Sequence, residues 1–127
     1  MKITVISGKE GDRTTYVGKM TYGQIAEVMS ILDPNVPTDE KLQRDLVASR
    51  TNNIATYLLT NTDFLFPGVV AIVENSNYEQ ANGFPDPNVG FVNLLPGEFR
   101  YLCDGQGRLS GIQKVLGERP DMADNTI

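Results

Sequence analysis

Five residues, Asp104-Gly105-Gln106-Gly107-Arg108, separate a strand-like run (Phe99, Tyr101, Leu102, Cys103) from a run with helical spacing (Leu109, Ile112, Val115, Leu116). The backbone must therefore pass from an extended segment through a tight turn into a helix, which commits this part of the chain to a strand–turn–helix unit. Such a turn sets backbone N–H groups at a helix N-terminus, where unpaired donors and the positive end of the dipole favour an anion, and two glycines keep side-chain bulk away. Arg108 adds a planar cationic fork, and Asp104 and Gln106 add polar groups able to orient a ligand, a water or a metal. The same residues also describe a plain turn, with Asp104 as helix N-cap and Arg108 as a solvated first-turn side chain.

At 127 residues and 14.0 kDa the chain suits one domain with a core that needs neither disulfide nor metal. No apolar run approaches the roughly 20 residues of a membrane helix, and residues 1–7 read as a first strand rather than a signal peptide, so a cytoplasmic protein with no membrane partner is expected. Cys103 is the single cysteine, which excludes an internal disulfide and a cysteine-based zinc site. We expect it to end a buried strand as a small apolar residue. The chain contains no histidine, so histidine triads and imidazole bases are excluded, leaving carboxylates, Lys, Tyr, Ser and Thr for any catalysis. Sixteen acidic against eleven basic residues give a net charge of −5, which opposes whole-surface binding to nucleic acid but permits a local basic face such as Lys41, Arg44 and Arg50. Those same cations also fit a solvated helix face.

Period-two alternation predicts strands near 2–7 and 14–20 as a starting hairpin. Thr21, with Gln24 three residues on, has the capping-box pattern, and Ile25, Val28, Met29 and Leu32 continue a helix near 21–32 that stops before Asp33-Pro34. Further helices are predicted near 38–48, with Leu42, Leu46 and Val47 buried, and near 50–60, through Ile54, Tyr57, Leu58 and Leu59. The β-branched run 69–73 predicts a central strand covered on both faces. Residues 75–88 form a turn-rich excursion, long enough to carry function or to move. Strands near 90–94 and 98–103, separated by Pro96-Gly97, suggest a hairpin or meander. A last helix near 106–116 should end on Gly117 as its C-cap, and the polar tail offers no further strand. The fold class is α+β, a mixed, mainly antiparallel sheet with helices packed on it.

The stretch Phe99-Arg100-Tyr101-Leu102-Cys103-Asp104-Gly105-Gln106-Gly107-Arg108-Leu109-Ser110-Gly111-Ile112 resembles the DGQHR-domain family. Its best-known members are the DndB proteins of bacterial DNA phosphorothioation clusters, with a more distant relation to the ParB/sulfiredoxin superfold. Upstream, Gln43-Arg44-Asp45-Leu46, Arg50 and Ile54-Ala55-Thr56-Tyr57-Leu58 are similar to the family's arginine-rich helix pair, and Phe66 with 69–73 to the strand after it. Order and spacing agree from about 22 to 116. Two departures stand out: Gly107 replaces the name-giving histidine, removing any imidazole chemistry, and family members run on past the motif helix, so the resemblance implies an N-terminal portion or a short relative. It further implies a ParB/sulfiredoxin-like fold, a place in DNA modification, transcription regulation or phage defence, and phosphate held at the turn.

Three functions follow. In the first, the chain is a regulatory module binding a nucleotide or nucleic-acid phosphate. Gly105, Gln106 and Gly107 supply the amide cradle, Arg108 grips the phosphate, Arg44 and Arg50 are further contacts, and Asp104 caps the helix, holds Arg108 or binds a Mg²⁺ on the phosphates. In the second, the chain is a Mg-dependent nucleotide hydrolase of ATPase type, with Asp104 positioning metal or water. It ranks lower because no Walker-type loop occurs and histidine is absent. In the third, the motif is a relic and the chain a module for self-association or for binding other DNA-modification proteins, through the 75–88 loop, Phe64 and Phe66.

Overall fold

The computed structural model describes residues 1–30, 48–74, 76–96 and 100–127. The helix predicted near 38–48, with Lys41, Leu42, Arg44, Leu46 and Val47, lies outside the described residues.

Strands β1 (Lys2–Glu10) and β2 (Arg13–Gly18) form the expected hairpin. Glu10 pairs with Arg13 across a two-residue loop, and Gly11 at its first position takes φ +58°, a conformation that suits the strand twist and favours glycine. Along β1 the alternation resolves by face: Ile3 and Val5 are buried, while Lys2, Thr4 and Ile6 face solvent. β1 also pairs antiparallel with β5 (Val89–Asn93), which pairs with β4 (Asn77–Gln80), giving the order β2-β1-β5-β4. The turn-rich excursion thus contains a strand. Its sequence, Asn-Tyr-Glu-Gln, has too little apolar alternation to announce one, and Tyr78 is recruited by stacking on Tyr16 at 5.7 Å between ring centroids.

A second, two-stranded antiparallel sheet joins β3 (Val70–Val73) to β6 (Arg100–Asp104), with a register shift between Val70 and Ala71. Two expectations are corrected here. The 69–73 run is not a doubly covered central strand: among the described residues β3 has one partner, and Val70 is 54% exposed. Nor do β5 and β6 form a hairpin; they belong to different sheets. The chain leaves β5 at Leu94, and Arg100, buried at the start of β6, ties the two sheets together. Its Nε donates to the Val28 carbonyl at 3.1 Å and its Nη1 to the Leu95 carbonyl at 2.8 Å.

Among the described residues three α-helices pack on this frame. α1 (Tyr22–Val28) opens with the predicted capping box: Gln24 N–H donates to Thr21 Oγ1 at 3.1 Å, and Thr21 N–H to Gln24 Oε1 at 2.9 Å. It ends before the expected boundary because Met29 turns extended and Ser30 bridges to Tyr101 on β6. α2 (Ala48–Thr60) buries Ala55 and Leu58, and α3 (Gln106–Glu118) buries Leu109, Gly111, Ile112 and Val115. Gly117 is not the C-cap; α3 runs on to Glu118 and Arg119 caps it, its N–H donating to the Val115 carbonyl at 2.7 Å. A 3₁₀ turn (Pro120–Asp124) follows. The tail then pairs with the chain ahead of α1, Ile127 N–H donating to the Met20 carbonyl at 2.9 Å and Thr126 bridging Thr21. This bridge is extended pairing that a polar Asn-Thr-Ile ending does not signal.

Apolar side chains gather in two clusters. The larger joins α1, α2 and α3 with Leu102 of β6, and the smaller lines one face of the four-stranded sheet with Ile3, Val5, Val92 and Leu94. The α+β class with antiparallel sheets is as the sequence predicts.

Candidate functional site

The 104–108 turn lies where β6 delivers the chain to α3. Gly105 is the N-cap residue, with φ +90° and ψ 22°, in the left-handed region that side chains rarely enter. A side-chain carbon at Gly105 would also meet Val69 Cγ1 at 2.5 Å, so neither the conformation nor the space admits another residue. Having no side chain, Gly105 caps nothing, and Asp104 does not act as the expected N-cap. The first backbone hydrogen bond of α3 runs from Leu109 N–H to the Gly105 carbonyl at 3.0 Å. The N–H groups of Gln106, Gly107 and Arg108 precede it and form the donor edge of the helix.

Side chains close around this edge. Arg108 folds back over the turn: its Nη2 would lie 3.1 Å from a side-chain carbon at Gly105 and sits 3.6 Å from Asp104 Oδ2. Its Nε is buried with no hydrogen-bond partner, although a guanidinium N–H away from water normally has one. Asp104 itself is exposed, so the ion pair is screened on one side. Of the three roles considered for Asp104, holding Arg108 is the one visible in the geometry.

Arg50 comes to the same place from α2. Its Cδ and Nε lie 3.6 and 3.7 Å from where a side chain would begin at Gly107, and Ile54 Cδ1 lies 3.6 Å away. Gly107 thus leaves a gap at the helix start over which Arg50 lies. One arginine thus lies beside each of the two glycines, Arg108 at Gly105 and Arg50 at Gly107. Gln106 does not point into this space; its Nε2 donates to the Leu102 carbonyl at 3.0 Å, tying the first turn of α3 back to β6. Arg44 lies outside the described residues. Cys103 is exposed rather than buried, its Sγ donating to the Val70 carbonyl at 3.4 Å. Phe64 and Phe66 pack on the larger cluster, whereas Leu65 between them is 90% exposed.

Among the described residues no three His, Cys, Asp or Glu side chains gather as a metal site, and no helix is long and apolar enough to cross a membrane. Sequence reasoning missed the role of Ile54 and Val69 in walling the turn. Their only signal was the small size of Gly107, Gly111 and Gly105 opposite them.

The convergence of Arg50 with the turn accords with the resemblance drawn from both segments. A family model described as DndB, DNA-sulfur modification-associated, matches residues 3–127. No curated protein and no solved structure matches the chain. With nearly its whole length matched, the chain belongs to the DndB family of proteins associated with DNA sulfur modification.

Proposed function

We propose that this protein is a regulatory module of DNA sulfur modification that binds a phosphate group, of a nucleotide or of nucleic acid, at the first turn of α3. The observation that carries the reading is the placement of Arg50 and Arg108 around Gly105 and Gly107, with Arg108 Nε buried and unpartnered. A phosphate oxygen would supply the missing acceptor, and the N–H edge with the helix dipole would add to its hold. Asp104 serves as the counter-ion that keeps Arg108 over the turn. Only Oδ2 of Asp104 stands against Arg108, and the exposed carboxylate keeps a second oxygen that a Mg²⁺ carried by a nucleotide would use. Hydrolysis finds less support, because the chain has no histidine and the carboxylate of the turn, Asp104, stands against a cation.

Thermal-shift titration with inorganic phosphate, ATP and CTP, each with and without Mg²⁺, tests this. The wild type should be stabilised by at least one of them, Arg108→Ala should lose the shift, and Arg50→Ala should weaken it. No shift with any of these ligands, or an unchanged shift in Arg108→Ala, sinks the reading.

A further inference from the structure

The four-stranded sheet turns one face inward, where Ile3, Val5, Val92 and Leu94 form the smaller apolar cluster. The alternate residues of the same strands make up its other face, and in a solvated antiparallel sheet those positions are normally polar. Here they are not. Ile6 pairs with Val17 on one side and with Val89 on the other, which lays an apolar row across three strands, and Phe91, two residues along β5 from Val89, widens it. Ile6 is 56% and Val17 72% exposed, and none of these four side chains joins either apolar cluster among the described residues. An apolar strip of this kind on a folded domain marks an interaction surface.

Charges on this face are confined to its two ends. At one end Lys2 Nζ lies 3.2 Å from Glu79 Oε2 and 5.1 Å from the centre of the Phe91 ring. At the other, Glu10 stands opposite Arg13. Lys2 and Glu10 are each four residues from Ile6 on the same strand, and so on the same face, roughly 13 Å to either side of it. The strip is therefore bounded along β1 by a cation at one end and a carboxylate at the other.

We propose that this face is the contact between two copies of the chain, packed sheet on sheet with their Val17–Ile6–Val89 rows together and their β1 strands running in opposite directions. Charge decides the direction. With the strands parallel, a two-fold axis along β1 would set Lys2 on Lys2 and Glu10 on Glu10. With the axis along the apolar row instead, Lys2 of each copy faces Glu10 of the other, so the same favourable pair forms twice. Packed sheets lie about 10 Å apart with strands within about 30° of each other, a gap that Lys and Glu side chains span from the two sides. Four strands about 4.8 Å apart give a footprint of roughly 20 by 20–25 Å, or about 400–500 Å² on each copy. About 1,000 Å² in all is the lower bound of a specific interface and fits a reversible dimer of micromolar affinity rather than a permanent one.

Sedimentation velocity of the whole chain, over concentrations from about 1 to 300 µM, tests this. The wild type should pass from monomer to dimer across that range. Val17→Lys, at an exposed position, should raise the dissociation constant tenfold or more by placing a charge in the apolar row. Lys2→Glu and Glu10→Lys should each remain monomeric alone, because each sets like charges together. Mixed in equal amounts, these two variants should associate with one another, since every pair across the contact is then of opposite sign. A wild type that stays monomeric throughout overturns the proposal, whether the face is then bare or taken by residues 31–47 or by another protein. A dimer that Val17→Lys leaves intact overturns it too, and failure of the mixed variants to associate refutes the antiparallel arrangement. None of these measurements involves the turn of α3, so the phosphate reading stands or falls separately.

Discussion

Tyr22 is fully buried at the start of α1, its ring edge-on to Phe66 at 6.3 Å, and its hydroxyl has no hydrogen-bond partner. Burial, with Tyr57 nearby as the lesser cause, holds its pKa above the ordinary tyrosine value, so the phenol stays neutral well past physiological pH. An unsatisfied buried hydroxyl costs about 1–3 kcal/mol. Tyr22→Phe keeps the ring and removes that cost, and should raise the unfolding free energy by about 1 kcal/mol in urea denaturation; a loss of stability would mean that the hydroxyl is satisfied after all. Some single-residue assignments were legible without the fold. Thr21 and Gln24 reveal the capping box because both partners are three positions apart in the chain. Arg108 was legible as a cation beside a turn. That its Nε is buried and orphaned was not, since burial is set by tertiary packing.

The pairing of α2 with α3 turns on glycine. A side-chain carbon at Gly111 would meet Ile54 Cγ2 at 2.5 Å, so the two helices approach as closely as they do because that position is bare. Gly111→Ala should therefore cost about 1–3 kcal/mol through overpacking, and should cost less in an Ile54→Ala background, where Cγ2 is gone. A double-mutant cycle reads the coupling directly: strict additivity would exclude this contact. Because the contact also sets where Arg50 falls relative to Gly107, the single variant should weaken phosphate binding as well. Helical and strand segments with strong periodicity were visible in the sequence. The partners were not: the run 69–73 looks like a central strand by composition, yet among the described residues β3 pairs with β6 alone, since β-branched propensity reports fitness for a pleated surface and not how many neighbours a strand has.

Across the whole molecule, Arg100 links what the chain keeps far apart. It sits at the head of β6, donates to the last residue of α1 and to the loop after β5, and its own carbonyl accepts from Ser30 N–H at 3.0 Å. Arg100→Leu would leave the Val28 and Leu95 carbonyls without this donor, and hydrogen bonds to charged groups contribute about 1.5–3 kcal/mol each. We expect a loss of about 3 kcal/mol or more, with both sheets unfolding in one transition at a lower denaturant midpoint; an unfolding free energy within about 0.5 kcal/mol of wild type would show that Arg100 is not a structural tie. Composition, cap signals and periodicities determined by themselves that the chain is α+β, that it opens with a hairpin, and that residues 104–108 lead a strand into a helix, because each of these depends on residues within a few positions of one another. Only the tertiary structure decided that the strands divide between two sheets and that Arg50 meets Gly107, because those outcomes follow from which distant surfaces fit together, and sequence spacing does not record that fit.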